Sequence, residues 1–217
     1  MPLPEAVASF RAAWREREPG PLYSGAAHLA FTSLGALAVV VGSLALLRAP
    51  GRLELAVAGA AFLVANLGEY LAHRFLMHRR VPGLTILHTR HTLGHHAFFT
   101  HEAMAVASRR DWKIVLFPPI LLFVFLGALA GPLAGLAWVV LGRDAGLTFY
   151  AVAVSYFLLY EWLHLAYHLE ASARVPVLAA LRKHHARHHD PTVMCRARFN
   201  ITFPLADLVF GTLRDPG

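Results

Sequence analysis

Charge is scarce in this chain: only 15% of residues are Asp, Glu, Lys or Arg, where a soluble globular domain carries about 25%. Apolar residues fill the deficit at 57%, and they fall in long runs, so lipid rather than water is the expected solvent for much of the chain. Cysteine is almost missing. Cys195 alone excludes an intrachain disulfide and a sulfur-ligated cluster, so any metal must be held by nitrogen or oxygen. The first twenty residues have no apolar core and include Glu5, Arg11, Arg15, Glu16, Arg17 and Glu18, which argues against a cleavable signal peptide. A net charge of +7 does not imply nucleic acid, because the cations flank apolar runs and no polar module with base-stacking aromatics is present. A membrane surface is the better partner.

The apolar runs give the organisation. Residues 26–47 are long enough to cross about 30 Å of hydrocarbon, and Arg48, Pro50, Gly51 and Arg52 make a tight turn before a second run over 53–71. Residues 79–113 are polar and rich in His and Arg, so they belong outside the lipid. A third run, 114–141, contains Pro118, Pro119 and Gly131-Pro132 and is expected to kink. It counts as one crossing, because a double crossing would separate the later histidines from the earlier ones. A fourth run spans 147–165, and the stretch 205–210 is too short to cross. The reading is an all-α integral-membrane protein with four transmembrane helices in two hairpins and a helical cap. On this topology seventeen cations share one face against Arg48, Arg52 and Arg143 opposite; the positive-inside rule makes that face, with both termini, cytoplasmic. Within residues 1–20, Val7, Phe10 and Trp14 fall opposite the arginines, the pattern of an interfacial helix. Richness in Ala, Arg and Leu points to a high-GC bacterium and its inner membrane.

Of fourteen histidines only His28 stands alone. The others form four groups: His73 and His78 in HRFLMH; His88, His91, His95 and His96 in HTRHTLGHH, followed by His101; His164 and His168 in HLAYH; and His184, His185, His188 and His189 in HHARHH. His164 and His168 are i, i+4 and share a helix face, as do His185, His188 and His189. The five-residue spacing of His73 and His78 would put the rings about 140° apart on an ideal helix, so the helix is expected to unwind near Phe75 and Met77. Periodicity leaves His88 and His96 open as companions of His91 and His95. An imidazole-rich set without thiolate suits iron, zinc, copper or nickel, does not resemble a four-ligand structural zinc site, and is large enough for two metals.

With these boxes in order, the sequence resembles the fatty acid hydroxylase and sterol desaturase superfamily of membrane di-iron enzymes. The matching pattern is His73 and His78; His91, His95 and His96; His164 and His168; and His185, His188 and His189, and the tail NITFPLADLVFGTLR from Asn200 to Arg214 resembles the family's ending. The likeness covers roughly 53–214 and reads 1–217 as one fatty acid hydroxylase-like domain with boxes in 73–101 and 164–189. It implies those ten histidines as metal ligands, with His88 and His184 as additional or alternative ones and no catalytic side chain beyond them. It also implies a cytosolic cap, two iron ions, which overexpression can replace by zinc, and O2 as co-substrate. Three residues rather than two separate His91 from His95, a departure from the family pattern. With no attached haem domain, the electron donor is expected to be a separate cytochrome b5-like or ferredoxin-like protein.

Glu69, one turn before His73, and Glu161, three residues before His164, are candidates to fix a ligand tautomer, and Asp190 is a further one. Asn66 is a candidate to hold a metal-bound water, against an interhelical hydrogen bond. Tyr70, Trp162 and Tyr167 read as interfacial aromatics, and Phe98, Phe99 and Phe117 as core residues or the lining of an acyl channel. The expected function is hydroxylation of a lipid or fatty acyl C–H bond. The rivals are a desaturase or a carotenoid or sterol hydroxylase with the same site and, from another class, a histidine-rich metal transporter or sensor. Against transport, the four runs contain few polar residues beyond Asn66 and Glu69.

Overall fold

Apolar helix-forming sequence yields an all-helical chain. The computed structural model describes residues 3–215 and, among these, shows no strand, only one isolated bridge between Thr100 and Ala103. Four segments are long and apolar enough to cross a membrane: Gly25–Ala45, Arg52–Met77, Arg109–Leu141 and Arg143–Tyr167. The chain divides into two compact units, one from residues 26–65 and 117–161, the other from residues up to 25, 66–116 and 162 onward.

The first unit contains α2 (Gly25–Ala45), most of α3 (Arg52–Leu71), α7 (Ile120–Val124), α8 (Gly131–Leu141) and most of α9 (Arg143–Tyr167). On α2 the buried stripe is His28, Thr32, Ala36 and Ser43, while Leu34, Leu37, Val41 and Leu44 are exposed. Small and polar residues inside with large apolar residues outside is the arrangement expected of helices whose solvent is lipid. Ala36, Leu122, Val154, Phe157 and Leu158 form the core. Gly146 lets α9 approach α8, since a Cβ there would lie 2.6 Å from Trp138 Cβ and 2.9 Å from the Ala134 carbonyl oxygen. The third span is irregular where its prolines predict. Pro118-Pro119 breaks it, and the exposed polar groups of Phe117 are met by side chains: its N–H donates to Glu161 at 3.3 Å and its carbonyl lies 2.9 Å from His28 Nε2. Farther on, Phe125–Ala130 is a π-helical stretch ahead of Pro132, with the Gly131 N–H reaching the Leu126 carbonyl five residues back.

The second unit carries α1 (Glu5–Arg17), the continuation of α3, α4 (Thr85–His88), α5 (His96–Phe98), α6 (Trp112–Val115), the end of α9, α10 (Pro176–His188) and α11 (Leu205–Val209). Three sequence expectations are corrected here. Arg11 is buried on α1 on the same side as Trp14 rather than opposite it. Tyr70 and Tyr167 are buried rather than interfacial: Tyr70 stacks on Phe210, and the Tyr167 hydroxyl donates to the Ile201 carbonyl at 3.0 Å. Between Ala72 and Met77 the helix does not unwind. It widens into a π-helix, closed by a His78 N–H to His73 carbonyl bond.

Candidate metal centre

The widened turn explains the five-residue spacing. Bonding from i to i+5 places residue 78 about one turn beyond residue 73, so the rings of His73 and His78 lie 4.9 Å apart between centroids. The same device recurs at Thr89–His95, where the His96 N–H bonds the His91 carbonyl and brings those two rings within 4.7 Å. His164 and His168, at the end of α9, rely on ordinary i, i+4 geometry, as do His185 and His189 at the end of α10.

All ten histidines are buried, and their side chains converge into two groups. In one, His73, His78, His91, His96 and His188 offer nitrogens within 4.8 Å of one another. Its Nε2 atoms stand 2.8 Å apart for His73 and His91, 3.0 Å for His78 and His188, and 3.1 Å for His91 and His96. In the other, His95, His164, His168 and His185 meet the same limit. His189 joins it, with Nε2 3.2 Å from His95 and 3.1 Å from His185.

The other ring nitrogens decide what these contacts mean. Nδ1–H donates to a backbone carbonyl in His73 (Phe199), His95 (Ile114, 3.1 Å), His168 (Met104, 2.8 Å), His188 (Ala197, 3.1 Å) and His189 (Phe99, 2.7 Å). A neutral ring that donates from Nδ1 has only a lone pair at Nε2. His95 and His189 therefore aim lone pairs at each other across 3.2 Å. His78 and His188 do the same at 3.0 Å, because the Thr92 hydroxyl donates to the Met77 carbonyl and receives His78 Nδ1–H at 3.2 Å. Protons do not resolve this repulsion: burial, reinforced by neighbouring imidazoles, holds His91, His95, His96, His168, His185, His188 and His189 well below the ordinary histidine range. Convergent lone pairs in a buried all-nitrogen shell fit a cation in each group.

The remaining candidates fall elsewhere. His88 and His184 are outside both groups, and His184 Nδ1 lies 3.1 Å from Arg198. Glu69 accepts from the Ile201 and Thr202 N–H groups and the Thr202 hydroxyl, while Asn66 bonds the Phe203 carbonyl and the Ala206 N–H. Asp190 accepts from Thr192 and pairs with Arg187 at 2.6 Å. Glu69 and Asp190 thus order backbone, and the groups that fix ring tautomers are the Thr92 hydroxyl for His78 and, for five other histidines, main-chain carbonyls that no side-chain pattern could mark. Phe98 packs against Trp14, and Phe99 covers His168 with ring centroids 4.0 Å apart. The tail has a visible purpose. Asp207, fully buried, accepts from the Phe199 and Asn200 N–H groups at 3.0 and 2.7 Å and from the Thr212 hydroxyl at 2.6 Å, fixing the loop whose Phe199 carbonyl holds His73.

No curated protein matches the sequence. Among solved structures, one described as full-length scs7p with only its hydroxylase domain visible is similar, with a TM-score of 0.59 and 22% identity over 98% of this chain and 67% of that one. The likeness extends to the fold. The sequence pattern describing fatty acid hydroxylases matches residues 58–212, and on that match the chain belongs to the fatty acid hydroxylase family.

Proposed function

We propose that this chain is a membrane-bound di-iron hydroxylase that inserts oxygen from O2 into a C–H bond of a fatty acyl or related lipid. The observation that carries the reading is the pairing of anchored, lone-pair-bearing imidazoles, His95 with His189 and His78 with His188. One iron is assigned to His73, His78, His91, His96 and His188, the other to His95, His164, His168, His185 and His189. The chemistry two bound irons supply is O2-dependent oxidation of an unactivated C–H bond, which no side chain performs unaided. The protein's part is to bury the ten rings, to set the tautomers of five of them through backbone carbonyls, and to exclude water with side chains such as Phe99 and Phe199, both fully buried.

The exposed apolar faces of the four spans support lateral entry of a lipid substrate from the bilayer. The distribution of cations supports a cytoplasmic site, and the richness in Ala, Arg and Leu supports a bacterial inner membrane; electrons would come from a separate cytochrome b5-like or ferredoxin-like donor. Transport is disfavoured, because Asn66 and Glu69 are engaged by residues 201–206.

The test is metal content per chain by mass spectrometry on detergent-purified protein, followed by lipid product analysis. Two irons are expected, with one lost in His168→Ala and one in His188→Ala, and products gain one oxygen. Products lacking two hydrogens would identify a desaturase. Metal indifferent to both substitutions, or absent throughout, refutes the assignment.

A further inference from the structure

Arg11 is a buried cation to which the histidine boxes assign no task. It sits on α1, outside the residues that match the family pattern. Its neighbour Arg15 makes the bidentate pair with Asp111, at 2.8 Å for each bond. Arg11 instead spends its guanidinium on main-chain oxygens: Nε donates to the Phe98 carbonyl at 2.7 Å, Nη2 to Ala103 at 2.6 Å and Nη1 to Ala105 at 3.3 Å. The aromatic faces of Phe98 and Phe99 lie 4.9 and 5.4 Å from its central carbon, which offsets part of the cost of burying the charge.

The carbonyls of this segment alternate. Those of Phe98, Ala103 and Ala105 meet Arg11, whereas the adjacent carbonyls of Phe99 and Met104 accept from His189 Nδ1 at 2.7 Å and His168 Nδ1 at 2.8 Å. Two further main-chain bonds tie the segment to the same group: the Phe99 N–H to the His95 carbonyl at 2.8 Å and the Val106 N–H to the His168 carbonyl at 3.0 Å. Every contact from residues 98–106 to a candidate ligand named here goes to one group, that of His95, His164, His168, His185 and His189.

We propose that Arg11 is a positioning residue for that second group alone: by clamping three carbonyls it sets the direction of the two between them, and through these the rings of His168 and His189. The inference rests on the two-metal reading above. Outer hydrogen-bond partners of ligating histidines typically affect metal affinity by about 10–100-fold. The effect of Arg11 should be of that size, confined to one of two metals.

Single-group proteins make this measurable. His78→Ala leaves the second group intact, and His164→Ala leaves the first. Anaerobic Fe2+ binding to each full-length protein in detergent, measured by chelator competition, is compared with and without Arg11→Met. Affinity should fall about 10–100-fold in the His78→Ala background and stay unchanged in the His164→Ala background. Arg11→Lys, which keeps the charge but cannot span three acceptors, should fall between. Trp14→Leu, which disturbs the packing of α1 on Phe98 but breaks none of these hydrogen bonds, should change neither background. Equal weakening in both backgrounds, or none, overturns the proposal. Should neither single-group protein bind Fe2+ before Arg11 is altered, the metal reading itself fails, and the proposal with it.

Discussion

Replacing Asp207 by Leu removes a fully buried carboxylate and leaves the N–H groups of Phe199 and Asn200 without an acceptor, while the Thr212 hydroxyl keeps only the Tyr70 hydroxyl at 3.3 Å. An orphaned buried donor costs about 1–3 kcal/mol, and part of the sum is recovered because a carboxylate no longer has to be desolvated. A net loss of about 3 kcal/mol is expected, and for a chain of this length it lowers Tm by roughly 6–12 °C. Asp207→Asn keeps one acceptor oxygen and turns an amide toward a donor, so its loss should be about half as large. Thermal unfolding in detergent, followed by tryptophan fluorescence, measures both. Because the loop also presents the Phe199 carbonyl to His73, the Leu variant should lose iron from the His73 group before the His95 group. A Leu variant melting within about 2 °C of wild type, a shift worth under about 1 kcal/mol, would refute the claim that this carboxylate organises the tail.

Gly146→Ala should lower Tm by several degrees: alanine improves helix propensity by about 1 kcal/mol, but its Cβ meets Trp138 Cβ and a backbone oxygen that no rotamer change can move. A rise in Tm would show the helices free to separate. Chelator-stripped protein should lose tertiary structure as pH falls. The folded-state pKa values of His91, His95, His96, His168, His185, His188 and His189 lie below the unfolded value, so the unfolded chain binds protons that the fold rejects, and stability is lost below about pH 6.5. Near-UV circular dichroism unchanged from pH 7.5 to 5 contradicts this. Glu161→Gln should melt near wild type, because it still accepts from the Phe117 N–H, and Glu161→Leu should melt lower; equal Tm values mean that hydrogen bond is dispensable.

Much of the site was legible because imidazole is chemically conspicuous and the α-helical period is simple: His164 with His168, and His185 with His189, follow from spacing alone. The geometry of the His73 and His78 pair is hidden in the sequence, since a five-residue interval reads as divergence when every helix is assumed to be α. The acidic candidates were assigned by proximity in sequence, yet Glu69 and Asn66 bond residues more than 130 positions away. Tyr70 resembled an interfacial aromatic until residues 199 and 210 closed over it. Arg11 looked like part of a charged face because only the folded segment 98–105 shows the carbonyls that take its charge.

The two helix types divide the work in a way that links the groups. The His73 group takes two i, i+5 pairs, both from π-helical turns, and a single residue, His188. The His95 group takes two i, i+4 pairs and a single residue, His95 itself. Each single residue comes from the element that serves mainly the other group: His188 lies between His185 and His189 in sequence, and His95 lies between His91 and His96. A π turn is a local irregularity that regular bonding would remove, so its presence at both five-residue intervals, and not at the four-residue ones, argues that convergence of the rings determines the helix geometry. The exchange of single residues then means that α10 cannot rotate about its axis without withdrawing donors from both groups at once. Its rotation is fixed from two sides, by His188 on the Ala197 carbonyl and His189 on the Phe99 carbonyl. Two groups that share two elements in this manner keep separate donor sets, yet one placement of α10 and of residues 89–98 presents both.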